Sequence, residues 1–258
     1  RFVRSLEVGG ASIVSLVPAQ LARLVDREPP PGLRAVLLGG AAAPPAQLAE
    51  AADRGWPVLT TYGLSEACSQ VATQRPGTTN RGELGVGRPL PGVEVRIAAE
   101  EIQVRGPTLF DGYHPGGPSP FLEGGWFPTG DLGAFDAEGR LHVSGRRGDR
   151  IVTGGEKVDP LEVEAVLRLH PAVRDACVFG VPDPVWGEIV AAAVVAETLE
   201  LASLETFLRE RLSPCKRPRR IARVQALTTG WSGKVDRHAV AVAFEEGPTR
   251  FRVDASRG

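Results

Sequence analysis

Hydrophobic and polar residues alternate with two different periods along the chain, and the period changes twice. Residues 12–25 run from a short β-rich stretch into an amphipathic helix, and residues 33–38 form a mostly apolar run typical of a buried strand. The Pro44-Pro45 pair predicts a helix start, because proline fits the first turn, where its missing N–H would have no partner. Gly55 ends this helix and residues 57–60 begin another strand. The alternation of strand and helix predicts a parallel α/β sheet.

Helical periodicity is absent from about residue 81 to residue 143. Short stretches with a period of two, VEVRI, EIQVRG and RLHVSG, stand here between turns rich in glycine and proline. This pattern predicts an antiparallel β subdomain.

Helices return after Gly148. Residues 159–162 (DPLE) combine a capping Asp, a Pro at the first helical position and a Glu at the third, which predicts a helix start. Residues 173–181 and 189–196 predict strands, and Ser203 is predicted to cap a second amphipathic helix.

The sequence therefore predicts an α/β plus α+β protein with two domains. Residues 1–147 would be the C-terminal part of a large domain, divided into the end of a parallel α/β subdomain (1–80) and an antiparallel β subdomain (81–147). Residues 148–258 would form a small, mobile α+β domain joined through a hinge. A chain of 258 residues is long enough to bury the cores that this requires.

The amino-acid composition limits which binding partners and which cellular compartment are expected. The 30 basic and 31 acidic side chains give a net charge of −1, which disfavours a nucleic-acid partner. No apolar run reaches the roughly 18 residues of a membrane span. Cys68, Cys177 and Cys215 are sparse and lack metal-ligand spacing, so we expect free thiols in a reducing compartment, the cytoplasm. Cys68 is expected to be a small buried filler.

Two polar segments in the predicted large domain carry candidate chemistry. In Tyr62–Glu66 (YGLSE) the Ser65 hydroxyl could meet a phosphate and Glu66 could bind Mg²⁺, which prefers oxygen ligands. In Thr129–Asp131 (TGD) the carboxylate could accept two ribose hydroxyls. Taken alone, the first segment is equally explained as a turn with a helix cap, and the second as a plain β-turn.

Two further segments lie in the second half. Residues 145–151 (GRRGDRI) and 154–158 (GGEKV) place glycine turns on both sides of a strand, which permits a hinge and a close approach to a ligand. Residues 232–237 (SGKVDR) place Lys234 on a glycine loop, where it could stabilise a developing oxygen charge. A hairpin with a solvated charged face and a solvated loop are the simpler explanations.

The order and spacing of these segments resemble the adenylate-forming superfamily of acyl-CoA synthetases, peptide-synthetase adenylation domains and luciferases. The resemblance covers almost the whole chain, in five blocks: LRAVLLGGAAAP, GVGRPLPGVEVRI, GWFPTGDLG, GRRGDRIVTGGEKVDPLEVEAVL and HPAVRDACVFGVPDPVWGE. It implies an ATP-dependent ligase that forms an acyl-adenylate and then a thioester, with ATP, Mg²⁺, coenzyme A and a small carboxylic acid as its partners. A homo-oligomer is left open.

The resemblance also implies a role for each matched residue. The implied nucleotide-binding residues are Gly39, Gly40, Ala41, Tyr62 against the adenine, Gly63, and Asp131 and Arg146 on the ribose. The implied catalytic residues are Ser65 at the α-phosphate, Glu66 near the metal, and Lys234 between the acid and the α-phosphate. Gly148, beside Asp149, would be the hinge, and Gly154 and Gly155 would border the passage for coenzyme A. The basic residues Lys216, Arg217, Arg219 and Arg220 could meet its phosphates or form a solvated face.

The chain departs from the family pattern at three points. Gly148 stands where the family often has Asp or Lys, and the loop TTGWSGK lacks the usual proline before Lys234. The upstream phosphate loop and an upstream motif that helps wall the acid pocket do not occur in this sequence. The chain thus resembles roughly the second half of an enzyme, and we expect this half to be inactive by itself.

Fewer residues indicate the identity of the carboxylic acid than indicate the family. SLVPAQLARL and TYGLSEACSQVAT look most like the o-succinylbenzoate–CoA ligases of menaquinone biosynthesis, and Ser69 and Gln70 could hydrogen-bond a polar acid. The alternatives are another aryl- or fatty acyl-CoA synthetase, an amino-acid adenylation domain, or a non-catalytic remnant.

Overall fold

The computed structural model describes residues 9–79, 81–82, 84–230, 234–246 and 251–252. The chain divides into two compact units, Arg1–Val143 and Ser144–Gly258. Each unit has its own sheets and its own apolar core. The sequence predicts a large domain that ends at residue 147, and the predicted hinge at Gly148 lies inside the second unit.

The first unit begins with a five-stranded sheet. Its elements are β1 (Ile13–Leu16), α1 (Pro18–Ala22), β2 (Ala35–Leu38), α2 (Pro45–Asp53), β3 (Val58–Leu64), β4 (Ser69–Thr73) and β5 (Arg88–Pro89). Strands β1, β2 and β3 pair in parallel, which confirms the predicted strand–helix alternation. Strands β4 and β5 add on antiparallel, so the sheet is mixed. Leu21, Val36 and Ala51 are fully buried in its core.

The second sheet of this unit has the strand order β6-β7-β8-β9. These strands are β6 (Glu94–Ala98), β7 (Glu101–Arg105), β8 (Phe127–Phe135) and β9 (Leu141–Arg146). β6 pairs antiparallel with β7, and β7 with β8, as the period of two predicts. Ile102, Val104 and Leu141 are fully buried beneath the sheet, packed with Val71 of β4.

The second unit is an α+β structure around one mixed sheet. Its elements are β10 (Ile151–Thr153), β11 (Glu156–Val158), α3 (Pro160–Leu167), β12 (Asp175–Asp183), β13 (Gly187–Val195), α4 (Leu201–Arg211), β14 (Arg220–Val224), α5 (Arg237–Glu246) and β15 (Phe251–Arg252). β13 lies at its centre, antiparallel to β12 and parallel to β14. Residues 189–194 of β13 are buried on both faces, which explains the apolar run along this strand.

The two predicted helix caps of this unit differ in outcome. Asp159 caps α3 as predicted, because its carboxylate accepts a hydrogen bond from the Leu161 N–H at 3.1 Å. The prediction for Ser203 is wrong: α4 begins at Leu201 after Glu200, and Ser203 lies within its first turn. The Ser203 hydroxyl instead lies 3.4 Å from Nε2 of His170. Leu204 and Leu208 do form the buried face that the sequence predicts.

Among the residues that the structure describes, no helix has the length and apolar character needed to cross a lipid bilayer.

Candidate active site

The loop after β2 lies close against β3. A Cβ atom on Gly39 would come within 2.4 Å of the Thr61 Oγ1, so a side chain there would have to displace the Thr61 hydroxyl. The Gly39 N–H donates to the Leu16 carbonyl at 3.2 Å, and Gly40 has a φ of +81°. These contacts hold Gly39, Gly40 and the exposed Ala41 at the carboxyl end of the parallel strands, where ligands bind in open α/β sheets.

Tyr62 and Asp131 are brought together from two different sheets. The Tyr62 hydroxyl donates to the Asp131 carboxylate at 2.7 Å. Thr129 fixes the turn before Asp131, because its hydroxyl donates to the Ile102 carbonyl at 2.8 Å and accepts from the Asp131 N–H at 3.0 Å. Both predicted nucleotide-binding side chains are half-buried, so each keeps an accessible face.

Gly63 marks an irregularity between β3 and β4. The register shifts between Tyr62 and Gly63, and a Cβ on Gly63 would lie 1.5 Å from the Ser69 carbonyl oxygen. Ser69 itself has a φ of +105° and is exposed. The half-buried Gln70 accepts a hydrogen bond from the Thr73 hydroxyl at 3.3 Å. A bulge of this kind re-aims the side chains that follow it.

Cys68 directly precedes β4. It is exposed and has a φ of +52°, so the prediction of a buried filler is wrong. The apolar surroundings that the prediction assumed are occupied instead by Ala67 and Val71, which are almost fully buried.

The Ser65–Ala67 segment is a single 3₁₀ turn whose carboxylate has a tyrosine partner. The Tyr113 hydroxyl donates to Glu66 Oε1 at 3.0 Å, and the Phe110 N–H donates to the Glu66 carbonyl at 2.8 Å. The rings of Phe110 and Tyr113 pack edge to face at 4.8 Å. Glu66 is thereby held in one orientation while the neighbouring Ser65 is exposed. The sequence did not single out Tyr113.

Glu66 fits the predicted role as a magnesium ligand. Among the described residues no three His, Cys, Asp or Glu side chains lie close enough together to hold a metal ion without other ligands. A single oriented carboxylate suits Mg²⁺, which is commonly bound by one or two carboxylates together with substrate phosphates and water.

Tyr113→Phe is expected to weaken magnesium-dependent ATP binding about tenfold, because it removes the partner that orients Glu66 and keeps the aromatic packing. Titration calorimetry with ATP at a series of Mg²⁺ concentrations measures this. Saturating Mg²⁺ should restore most of the affinity. An unchanged Mg²⁺ dependence would show that Tyr113 does not orient a ligand.

The predicted hinge segment, residues 145–151, lies at the beginning of the second unit. Gly145 is buried, and a Cβ there would lie 2.6 Å from an Asp159 carboxylate oxygen. The exposed Arg146 ends β9, and residues 147–149 form a 3₁₀ turn. A Cβ on Gly148 would meet no atom within 4 Å, so packing within this unit does not require glycine there.

Gly154 and Gly155 form the turn between β10 and β11. A Cβ on Gly154 would lie 2.6 Å from the Trp186 ring, and the Gly154 N–H donates to the Trp186 carbonyl at 2.9 Å. The Arg219 guanidinium stacks over the same ring at 3.9 Å. Trp186 thus contacts both the Gly154 turn and Arg219.

Two other members of the predicted basic cluster, Lys216 and Arg217, have protein partners. Lys216 binds the Glu162 carboxylate at 2.6 and 2.7 Å. Arg217 donates to the carbonyls of Leu212 and Arg209. Of these residues, Arg219 thus has the position best suited to a ligand at Gly154.

Lys234 is exposed on a loop that is closed by backbone hydrogen bonds. The Gly230 N–H donates to the Lys234 carbonyl at 2.8 Å, and the Asp236 N–H donates to the Thr228 carbonyl at 2.9 Å. Ser232 and Gly233 of the SGKVDR motif lie outside the described residues.

A buried charged cluster follows Lys234. Arg237 and Arg168 both contact Glu164, at 3.0 and 3.3 Å, and Glu164 also accepts from the Val178 N–H at 2.9 Å. Burial raises the pKa of Glu164, while the two guanidinium groups lower it. Burial likewise raises the pKa of the neighbouring Cys177 thiol to about 12, which makes it unreactive. The sequence analysis gave no role to Arg237.

Two protein-family models match the chain. Residues 1–114 match the AMP-binding enzyme family, and residues 162–234 match the AMP-binding enzyme C-terminal domain. The 2-succinylbenzoate–CoA ligase of Bacillus licheniformis is 38% identical over 251 residues, which cover 92% of this chain and 52% of that protein. The ligase of Geobacillus kaustophilus is 40% identical over 238 residues, 85% of this chain and 49% of that protein.

Solved structures give the same result for the fold. The o-succinylbenzoate CoA synthetase of Bacillus subtilis, in complex with its acyl-adenylate intermediate, has a TM-score of 0.84 at 34% identity, over 92% of this chain and 52% of that one. An amide bond synthetase of Marinactinospora thermotolerans has a TM-score of 0.85 at 34% identity, over 94% and 54%. The chain spans about half the length of these relatives. It belongs to the family of AMP-binding, adenylate-forming enzymes.

Proposed function

We propose that this chain is part of an ATP-dependent acid–CoA ligase that works through an acyl-adenylate, with 2-succinylbenzoate as the acid. The observation that carries the proposal is the Tyr62–Asp131 pair at 2.7 Å, beside a glycine loop at the carboxyl end of a parallel sheet. An aromatic face and an oriented carboxylate are the groups that an adenosine requires, the first for its base and the second for its ribose hydroxyls.

The residues of the first unit bind and orient the nucleotide. The small residues Gly39, Gly40 and Ala41 allow the nucleotide to approach the backbone closely. Ser65 offers an exposed hydroxyl to the α-phosphate. Glu66, held by Tyr113, would bind Mg²⁺, which supplies charge neutralisation at the phosphates when bound. Arg146 is the proposed second ribose partner.

Lys234 is the proposed catalytic group of the second unit. The acid carboxylate attacks the α-phosphorus of ATP and pyrophosphate leaves. An exposed ammonium group on a backbone-closed loop can stabilise the charge that develops on the attacking and α-phosphate oxygens. Movement at Gly148 and Asp149 then removes Lys234 before the second step.

In the second step the thiol of coenzyme A attacks the mixed anhydride, the C–O bond breaks, and AMP leaves. Gly154 and Gly155 border the proposed passage, with Trp186 and Arg219 beside them. A flat aromatic ring and a guanidinium suit an extended chain that ends in phosphates.

The acid is proposed from the relatives and from the bulge after Gly63. The relatives in the Bacillus and Geobacillus species are named for 2-succinylbenzoate, and Ser69 and Gln70 place polar groups where a fatty-acid site would be apolar. Another aryl- or acyl-CoA synthetase is the first alternative within the same mechanism.

A second candidate differs in the acceptor. The amide bond synthetase is as similar in structure as the CoA ligase, with 34% identity in both cases. In that candidate an amine, rather than a thiol, would attack the adenylate. Trp186 and Arg219 beside Gly154 favour the larger, anionic acceptor.

The test is acid-dependent pyrophosphate release by the natural full-length protein with ATP and Mg²⁺. The acids are 2-succinylbenzoate, benzoates, amino acids and fatty acids of several lengths, each with coenzyme A or an amine as the acceptor. We expect strong preference for 2-succinylbenzoate and a thioester product. Preference for another acid would overturn the substrate assignment, and an amide product would favour the second candidate. Absence of pyrophosphate release with every acid tested would favour a non-catalytic remnant.

A further inference from the structure

Arg237 is a buried cation at the beginning of α5, three positions after Lys234. Its guanidinium contacts the Glu164 carboxylate at 3.0 and 3.1 Å, and its side chain is 19% exposed. Glu164 belongs to α3 and is 4% exposed, so the contact anchors the beginning of α5 to the interior of the second unit.

The same guanidinium reaches the predicted hinge segment. Its Nε lies 3.5 Å from the carboxylate of Asp149, the neighbour of Gly148. This Nε is buried and has no hydrogen-bond partner among the described residues. At 3.5 Å the pair is an ion pair at the outer limit of a hydrogen bond, and a small approach of Asp149 would satisfy the Nε.

The negative charge of Glu164 could be balanced without Arg237. Arg168 already contacts Glu164 at 3.3 Å, and it also pairs with Asp175 at 2.9 Å. Each arginine therefore joins the buried Glu164 to one partly exposed aspartate. Asp175 begins β12 and lies outside the hinge segment, whereas Asp149 lies within it.

We propose that Arg237 is a positioning residue for Lys234: anchored by Glu164 and paired with Asp149, it ties the Lys234 loop to the segment beside Gly148. Lys234 then takes its working position only while Asp149 is in place. The inference rests on the proposed function, since it concerns the residue proposed to act in adenylate formation.

The test compares Asp149→Ala with Asp175→Ala in the natural full-length protein. Both remove a partly exposed carboxylate from an arginine on Glu164, so they match in charge and burial. We expect Asp149→Ala to slow single-turnover adenylate formation about tenfold, and to slow thioester formation from supplied adenylate by clearly less than that, because Lys234 has no proposed role in the second step. Asp175→Ala should leave both rates within about twofold.

A Lys234→Ala background separates positioning from general loss of structure. If Asp149 acts through Lys234, Asp149→Ala should change the residual adenylation rate there by less than about twofold, because coupled residues are not additive. The same tenfold loss in both backgrounds, or equal losses in both half-reactions, would overturn the proposal.

Hydrogen–deuterium exchange gives a readout that needs no turnover. The amides of Gly230 and Asp236 are bonded within the Lys234 loop, so both Asp149→Ala and Arg237→Lys should increase their exchange, and Asp175→Ala should not. Unchanged exchange in Asp149→Ala would refute the proposed connection between the Lys234 loop and Asp149, even if the enzyme were active. Faster exchange in a protein that forms no adenylate with any acid would support this connection and refute the proposed function.

Discussion

Lys234→Ala is expected to lower the rate of acyl-adenylate formation by about 10²- to 10³-fold, the usual cost of removing one group that stabilises transition-state charge. The exposed side chain makes no packing contribution that alanine would lose, so the fold should be unaffected. Thioester formation from supplied adenylate should change little, because Lys234 has no proposed role in that step. Quenched-flow measurement of AMP-bound acid and of thioester separates the two rates.

Lys234→Arg is the matched control. It keeps the positive charge and changes the shape of the donor from a compact ammonium to a planar guanidinium. We expect it to remain strongly impaired in adenylation, with the same thermal stability as the natural protein. Equal loss of both half-reactions in Lys234→Ala would contradict the division of labour proposed for this residue.

Gly63→Ala is expected to destabilise the first unit by about 3 kcal/mol or more and to abolish most ATP-dependent activity. The added Cβ would lie 1.5 Å from the Ser69 carbonyl oxygen, and a backbone atom cannot rotate away. Strands β3 and β4 must separate at the bulge, which displaces Tyr62 and Glu66 on either side. A displacement of about 1 Å is enough to lower a rate about 10²-fold.

Gly117→Ala is the control for this substitution, because its Cβ would meet no atom within 4 Å. Thermal unfolding and ATP binding should be unchanged in Gly117→Ala and lowered together in Gly63→Ala. If Gly63→Ala unfolded and bound ATP like Gly117→Ala, the close contact at the bulge would not exist in the protein.

The elements with a clear period are predictable from the sequence alone. The strand–helix alternation before residue 64 and the capped helix after Asp159 follow from local pattern, and both are found. Ser203 failed as a cap because the helix begins at Leu201, three residues earlier than a Ser203 cap requires, and Glu200 takes the flanking position without a side-chain hydrogen bond. Local preference cannot fix such an end when the apolar face of the helix decides the packing.

The site was predictable only where several motifs support one another. Tyr62 and Asp131 were each assigned to the nucleotide. Their hydrogen bond, however, joins two different sheets through residues 69 positions apart in the sequence, and no local sequence pattern predicts it. Tyr113, Trp186 and Arg237 were missed for the same reason, since each acts through a partner that is distant in sequence. The prediction for Cys68 was wrong because this residue ends the Ser65–Ala67 turn in a left-handed backbone conformation, which the local sequence does not signal, and its side chain is exposed.

The most direct test of the proposed chemistry follows the oxygens of the acid. 2-Succinylbenzoate labelled with oxygen-18 in its carboxylates is incubated with the natural full-length protein, ATP, Mg²⁺ and coenzyme A, and the products are analysed by mass spectrometry. If the carboxylate attacks the α-phosphorus, one labelled oxygen must leave with AMP when the thiol breaks the anhydride, and we expect label in AMP. Thioester formation with label in inorganic phosphate, or with no label in AMP, would contradict an acyl-adenylate intermediate.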